Sequence, residues 1–173
     1  MKRELWDLYN EKGEKLNKIA IRGNEISSGE YHLVVHIWIC DSNGRFLIQK
    51  RSSKKIVPNI WAVTGGSVLS GEDEIAGAVR ETNEEIGIEL NSDDLTEIYR
   101  IYSKDHITIV FITKNETGLS DLVLDDEEVA ECKWVSKDEL EEMIRLKTFY
   151  NYDKDYENYF ESIFSSADDL VAK

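Results

Sequence analysis

Cysteine and proline are both scarce in this sequence of 173 residues. The two cysteines, Cys40 and Cys132, have no paired spacing. This excludes a disulfide framework and a cysteine zinc site, and it fits a reducing cytoplasm. Pro58 is the one proline, and no repeat or low-complexity segment marks a linker. We therefore expect one domain over residues 1–173, located in the cytoplasm.

Positive charge is also in deficit, because 21 lysines and arginines face 35 aspartates and glutamates, for a net charge of −14. Such a chain repels phosphate backbones, so a nucleic-acid polymer is not an expected partner. An anionic small molecule would need a metal ion or a local basic patch here. No apolar run approaches the roughly 20 residues that span a bilayer, and residues 1–10 lack the apolar stretch of a signal peptide. We expect no membrane partner.

The segments that are present alternate between strand and helix patterns. Two short runs around a turn ending at Gly13 predict an N-terminal hairpin over about residues 1–25. The stretch HLVVHIWIC predicts a strand buried on both faces, and RFLIQK returns as its partner after the turn DSNG. The tail after residue 151 predicts a helix whose aromatic side chains pack on the domain. Strands interleaved with helices indicate an α/β layered domain.

The stretch RETNEEIGI crowds Glu81, Glu84 and Glu85 onto one predicted helix, where like charges repel. On a helix over residues 72–86, ended by Gly87, the apolar positions form a core stripe and the glutamates share an arc outside it. The stripe comprises Ile75, Val79, Thr82 and Ile86. Grouped carboxylates suit Mg²⁺ or Mn²⁺, whose charge would offset the repulsion. The alternative is an ordinary solvated acidic face.

The residues ahead of this helix suggest a phosphate-binding turn. The pair Gly65-Gly66 allows a tight bend or a close backbone approach. Ser70 with Asp73 predicts a capping box at the helix start. Backbone N–H groups of the turn and of the helix start would then lie near a bound phosphate.

Residues 66–88, GSVLSGEDEIAGAVRETNEEIGI, resemble the signature of the Nudix hydrolases, G-x5-E-x7-R-E-U-x-E-E-x-G-U, where U is a bulky aliphatic residue. The matching positions are Gly66, Glu72, Arg80, Glu81, Glu84, Glu85, Gly87 and Ile88. Thr82 departs from the pattern at the first U. Since it lies on the predicted core stripe, we expect a loss of packing rather than of chemistry. The flanking segments, over roughly residues 30–145, resemble the branch that contains isopentenyl-diphosphate isomerase.

The resemblance implies a Nudix fold, an α+β architecture in which a mixed β-sheet lies between helices as an α/β/α sandwich. It implies a Mg²⁺- or Mn²⁺-dependent hydrolase that cleaves a diphosphate bond in a nucleoside-diphosphate-linked or related small molecule. By family role, Glu81, Glu84 and Glu85 are the catalytic metal ligands, and Arg80 and Glu72 support the signature. A non-enzymatic nucleotide sensor is a second alternative beside an isomerase. The oligomeric state is left open, with a homodimer as one option.

An isomerase of this branch would need an acid and a base at carbon, which the resemblance assigns to a cysteine beside the glycine turn and a glutamate on a later strand. Here Gly65 stands where the cysteine would be, and Ser67 falls near the place of a metal-binding histidine. Lys104 and His106 occupy the places of two glutamates. We therefore predict no isomerisation of isopentenyl diphosphate.

Basic residues and histidines supply further candidates. The densest basic cluster comprises Lys50, Arg51, Lys54 and Lys55. Arg51 and Lys50, with Gly65 and Gly66, are candidate substrate-binding residues, and a solvated loop is the alternative. His32 and His36 share one face of a predicted strand, which favours packed histidines over ligands. The resemblance to the isomerase branch keeps His32 open as a metal ligand.

The acidic residues after the last long strand are the remaining candidates. They are Asp125, Asp126, Glu127, Glu128 and Glu131. One of them would supply a further metal ligand or a general base, and the sequence does not say which.

Overall fold

The computed structural model describes residues 4–172. An N-terminal hairpin pairs β1 (Leu5–Tyr9) with β2 (Lys15–Ile21) in an antiparallel two-stranded sheet. Its turn contains Gly13 at φ 76°, a left-handed conformation that glycine adopts without strain. The hairpin predicted for about residues 1–25 is present, with residues 1–3 outside the described part of the chain.

The main sheet has seven strands in the described chain. They are β3 (His32–Cys40), β4 (Phe46–Arg51), β5 (Trp61–Ala62), β6 (Thr64–Ser67), β7 (Thr96–Tyr102), β8 (His106–Lys114) and β9 (Val129–Val135). The order is β5-β4-β3-β8-β7, with β6 also paired to β3 and β9 to β4. The β3–β8 pair is parallel and the other pairs are antiparallel, so the predicted mixed sheet is confirmed.

Three α-helices cover this sheet: α1 (Glu74–Ile86), α2 (Lys137–Arg145) and α3 (Tyr156–Val171). Successive β3 side chains alternate between two cores. Trp38 packs with the aromatic residues of α3, and Ile37 packs with α1 residues such as Ala78. The strand is therefore buried on both faces, as its unbroken apolar run predicts. No helix within residues 4–172 is long and apolar enough to cross a membrane.

The ends of α1 decide where the signature residues lie. Asp73 caps its start, because its carboxylate accepts the Ala76 N–H at 2.8 Å. The predicted box of Ser70 with Asp73 is wrong, since the Ser70 hydroxyl donates to Asp7 instead. Gly87 ends the helix at φ 74°, as predicted, and its N–H donates to the Asn83 carbonyl.

The buried face of α1 differs from the predicted stripe. The buried residues are Gly77, Ala78, Thr82, Glu85 and Ile86, whereas Ile75 is 37% exposed. At about 100° per residue, the buried arc is shifted by roughly 70° around the helix. The small Gly77 sits against Val68 and allows close approach to the chain just after β6. This rotation brings Glu85 inward, so its predicted position on the outer flank of the helix is wrong.

Candidate active site

A cleft of about 820 Å³ lies between β6, the glutamate-bearing side of α1, the N-terminal hairpin and the acidic loop before β9. Its wall includes all three clustered glutamates and both Gly65 and Gly66, which lie in β6 rather than in the predicted turn. The charged residues and glycines of the wall are Glu4, Arg22, Lys55, Gly65, Gly66, Arg80, Glu81, Glu84, Glu85, Asp125 and Glu128. The cleft therefore brings the N-terminal hairpin and the loop before β9 together around the glutamate helix.

Glu85 is the buried carboxylate of the cleft, at 7% exposure. The Gln49 amide donates to its Oε2 at 2.8 Å, and the Gly65 N–H donates to the same oxygen at 3.2 Å. Thr64 donates to Gln49 in turn and fixes the amide. Burial raises the pKa of Glu85 to about 8, against the opposing effect of the Gln49 hydrogen bond and with a further rise from the nearby Glu81. A carboxylate this strongly desolvated is poised to gain from a positive charge beside it.

Arg80 organises the remaining carboxylates of the signature. Its guanidinium donates to both oxygens of Glu72, at 2.8 and 3.0 Å, and to the Ser67 carbonyl at 3.0 Å. Its Nη1 also reaches Glu81 at 2.8 Å and Glu84 at 2.9 Å. Burial of Glu81 raises the pKa of that carboxyl, although Arg80 opposes the shift. Arg80 thus connects α1 to Ser67, at the end of β6, and to Glu72. Its positive charge also offsets part of the repulsion among the glutamates.

Two glycines allow β6 to pack closely, Gly66 against α1 and Gly65 against the backbone of β3. A Cβ on Gly66 would lie 2.4 Å from the Glu81 carboxylate, and a Cβ on Gly65 would lie 2.2 Å from the Val35 carbonyl oxygen. Neither glycine has a positive φ. Close backbone approach, rather than a special turn conformation, therefore explains both glycines.

The donor set fits a hard divalent cation in its chemistry. Glu81, Glu84 and Glu85 offer oxygen ligands only, and the raised pKa of Glu85 marks a desolvated carboxylate without a cationic partner of its own. Within residues 4–172, no three such side chains already converge on one point as a formed metal site. Arg80 holds Glu81 and Glu84, and Glu84 is the more exposed of the two.

The N-terminal hairpin is hydrogen-bonded to Ser70 and Gly71, in the turn between β6 and α1. The Asp7 carboxylate accepts from the Ser70 hydroxyl and from the Gly71 N–H, each at 2.9 Å, and pairs with Lys15 at 2.6 Å. Although burial alone would raise the pKa of Asp7, these hydrogen bonds lower it. The Ser70 N–H also donates to the Leu5 carbonyl at 2.7 Å. The hairpin is thus held as one wall of the cleft.

This wall contributes two charged residues, Arg22 and Glu4, that the sequence pattern did not single out. Arg22 lies at the rim, and its guanidinium holds both carboxylate oxygens of Glu4 at 2.7 and 2.8 Å. Gln49 was also missed. A polar residue inside the apolar run FLIQK was the signal that could have singled it out.

Ion pairs and a backbone hydrogen bond join the basic loop after β4 to the acidic loop before β9. Lys54 pairs with Glu127 and Lys55 pairs with Glu128, and the Ser52 N–H donates to the Glu128 carbonyl at 2.9 Å. Of the five acidic candidates, Asp125 and Glu128 line the cleft with the signature glutamates.

The other predicted candidates lie elsewhere. Lys50 is not in the cleft wall, and its Nζ lies 6.0 Å from the centre of the Trp61 ring. Arg51 lies behind β6, in a separate cavity. His32 stacks on Trp6 at 4.0 Å, and burial lowers its pKa to about 4. His36 packs on Tyr152 at 4.3 Å.

The thiols also lie away from the cleft wall. Cys40 is buried in the core. Cys132 lies on β9 opposite Gln49, and burial raises its pKa to about 12. Neither thiol is placed or ionised for proton transfer in the cleft.

Comparison with known proteins assigns the chain to a family. Residues 30–156 match the model of the NUDIX domain. An uncharacterized Nudix hydrolase of Listeria monocytogenes is 37% identical over 151 residues, which cover 86% of this chain and 89% of the relative. An isopentenyl-diphosphate Δ-isomerase of Streptomyces griseus is 30% identical over 84 residues, which cover 47% of this chain and 43% of the isomerase.

A solved structure shows the same fold. The crystal structure of a protein from Deinococcus radiodurans superimposes with a TM-score of 0.67 at 23% identity, and the match covers 83% of this chain and 90% of that one. The fold predicted from the signature is therefore confirmed, with its mixed sheet between helices. The chain belongs to the Nudix family and is an enzyme of the Nudix hydrolase type.

Proposed function

We propose that this enzyme is a Mg²⁺- or Mn²⁺-dependent hydrolase that cleaves a diphosphate bond in a nucleoside-diphosphate-linked or related small molecule. The observation that carries the proposal is the placement of Glu81, Glu84 and Glu85 in one cleft wall, with Glu85 desolvated. These three carboxylates would hold the cation. A bound cation would neutralise the diphosphate, polarise phosphorus and lower the pKa of a bound water.

The other residues of the cleft act on position and charge. The hydrogen bonds between Arg80 and Glu72 hold the segment between β6 and α1 against the helix, so that Gly66 stays in contact with Glu81. Arg22 and Lys55 both line the cleft, where an incoming phosphate would compete with the carboxylate partner of each. We assign no role to Lys50, because it lies outside the cleft wall.

Either Asp125 or Glu128 would serve as the general base. Both line the cleft with the glutamate helix. Asp125 is also anchored to that helix, because its N–H donates to the Glu85 carbonyl at 3.0 Å. This bond fixes the backbone of Asp125 beside α1, and its carboxylate would accept a proton from a water that attacks phosphorus.

The two alternatives are less well supported. An isomerase needs an acid–base pair at carbon, but neither thiol of the chain lines the cleft, and Gly65 stands at the expected cysteine position. A sensor without activity needs no complete set of signature carboxylates, yet every charged position of the signature is present.

The test is release of phosphate or of nucleotide products from a panel of nucleoside diphosphates, triphosphates, diphosphate sugars and dinucleotides. We expect at least one compound to be cleaved with Mg²⁺ or Mn²⁺, and cleavage to stop with chelator. Isopentenyl diphosphate is included, and NMR should detect no dimethylallyl isomer. Isomer formed at enzymatic rates, or an inert panel with both metals, would contradict the proposal.

A further inference from the structure

A second cavity, of about 370 Å³, lies on the face of the sheet opposite the glutamate helix. Its wall contains His36 and Thr108, which share the α3 side of the sheet with Trp38 and Val110. Gly65 and Gly66 line both this cavity and the cleft. Because these two residues have no side chains, only the backbone of β6 separates the two spaces.

Arg51 in this cavity differs from the other described arginines. Five arginines within residues 4–172 pair with carboxylates: Arg22, Arg45, Arg80, Arg100 and Arg145. Arg51 forms no such ion pair in the described chain, although the protein has 35 acidic residues. Its Nε donates to the Val57 carbonyl at 2.9 Å, and its Nη groups have no acceptor among residues 4–172.

The described wall around Arg51 lacks the carboxylates that line the cleft. The cavity has no aspartate or glutamate among its described lining residues, whereas six carboxylates line the cleft on the other side of β6. The guanidinium lies 6.0 Å from the Tyr150 ring, and the hydroxyl groups of Ser103 and Thr108 add neutral donors. Burial lowers the pKa of His36 to about 3, with Arg51 and His106 adding to the shift, so His36 is neutral.

We propose that this cavity, the Arg51 pocket, binds an oxyanion carried by the group attached to the scissile diphosphate. The oxyanion is a phosphate monoester or a carboxylate, both of which match the fork of a guanidinium. The inference rests on the proposed function: the diphosphate lies in the cleft, and the attached group passes β6 at Gly65 and Gly66. The substrate class is then a diphosphate whose attached group carries its own negative charge.

Two matched pairs of probes test the pocket. NADP⁺ and NAD⁺ differ by one phosphate monoester, and UDP-glucuronate and UDP-glucose differ by one carboxylate. We measure kcat/KM for each compound with Mg²⁺. For a pair that is not cleaved, the dissociation constant from calorimetry with Mg²⁺ takes its place. The variants are Arg51→Gln, Arg51→Lys and, as a control, Arg145→Gln, which removes an exposed arginine of α2.

The wild-type protein should prefer the anionic member of at least one pair by about tenfold or more, as expected for a charge-assisted hydrogen bond. The pair that shows the preference identifies phosphate or carboxylate as the bound group. Arg51→Gln should remove the preference with little change for the neutral member. Arg51→Lys should keep part of it, and Arg145→Gln should keep all of it.

Two results would overturn the pocket. One is the absence of a preference in both pairs. The other is an equal loss for both members of a pair in folded Arg51→Gln, since Arg51 would then hold the diphosphate itself. If no probe is cleaved but Arg51→Gln abolishes a preference in binding, the pocket stands and the proposed hydrolysis of these compounds fails.

Discussion

At the scale of single residues, Glu85 connects stability to metal binding. Its pKa, raised to about 8 by burial, means that the folded protein binds this proton more tightly than the unfolded chain does. The stabilising effect is complete below the unfolded pKa, near 4.5, and is lost as pH rises toward 8. His32 and His36 have lowered pKa values and act in the opposite direction. The effect of Glu85 is therefore measured against Glu85→Gln, which retains both histidines.

In chelator, we predict that the free energy of unfolding of the wild type falls relative to Glu85→Gln between pH 5.5 and 8, by on the order of 2 kcal/mol. Denaturant titrations at a series of pH values measure this difference. Added Mg²⁺ should restore the wild type at pH 8 and leave the variant unchanged. Parallel pH curves for the two proteins would show that Glu85 does not titrate in this range.

Gly87 shows how a single position ends the signature helix. It adopts φ 74°, and a Cβ there would lie 2.8 Å from the Val123 side chain and 3.0 Å from the Val123 nitrogen. Gly29 has a similar φ of 83°, but a Cβ placed on Gly29 would have no atom within 4 Å. We predict that Gly87→Ala destabilises the protein by about 2 kcal/mol or more, and Gly29→Ala by about 1 kcal/mol. Equal melting temperatures for the two variants would contradict the close packing of Val123 on the helix end.

At the scale of elements, the hairpin β1–β2 acts as a wall of the site through Asp7. Asp7→Ala removes the acceptor of Ser70 and Gly71, so we predict a loss of about 1–3 kcal/mol in stability and a rise in KM that exceeds the change in kcat. Faster hydrogen exchange at the amides of residues 70 and 71 is the direct readout. Glu11→Ala, in the exposed turn of the same hairpin, is the control. Unchanged exchange at Gly71 would show that Asp7 does not hold the turn.

At the scale of the whole molecule, local sequence patterns predicted the helices and strands, whereas contacts between distant residues determine how the cleft is assembled. Three features depend only on neighbouring residues, so the sequence was sufficient to predict them. They are the turn DSNG between β3 and β4, the buried apolar run of β3 and the end of α1 at Gly87. The inward rotation of Glu85 depends on Gln49, 36 residues away, and the docking of the hairpin depends on Asp7 and Ser70, 63 residues apart. Helical periodicity carries no information on such pairs, and it therefore placed the core stripe around Ile75.

The measurement that tests the central claim most directly is kcat as a function of Mg²⁺ concentration for the wild type, Glu84→Gln and Glu85→Gln, on the best substrate of the panel. Glu142→Gln, an exposed glutamate of α2 paired with Arg145, is the matched control. We predict that Glu84→Gln and Glu85→Gln lose kcat by orders of magnitude while remaining folded, and that the control equals the wild type. Wild-type activity in Glu85→Gln at limiting Mg²⁺ would contradict the assignment of this glutamate cluster as the metal site.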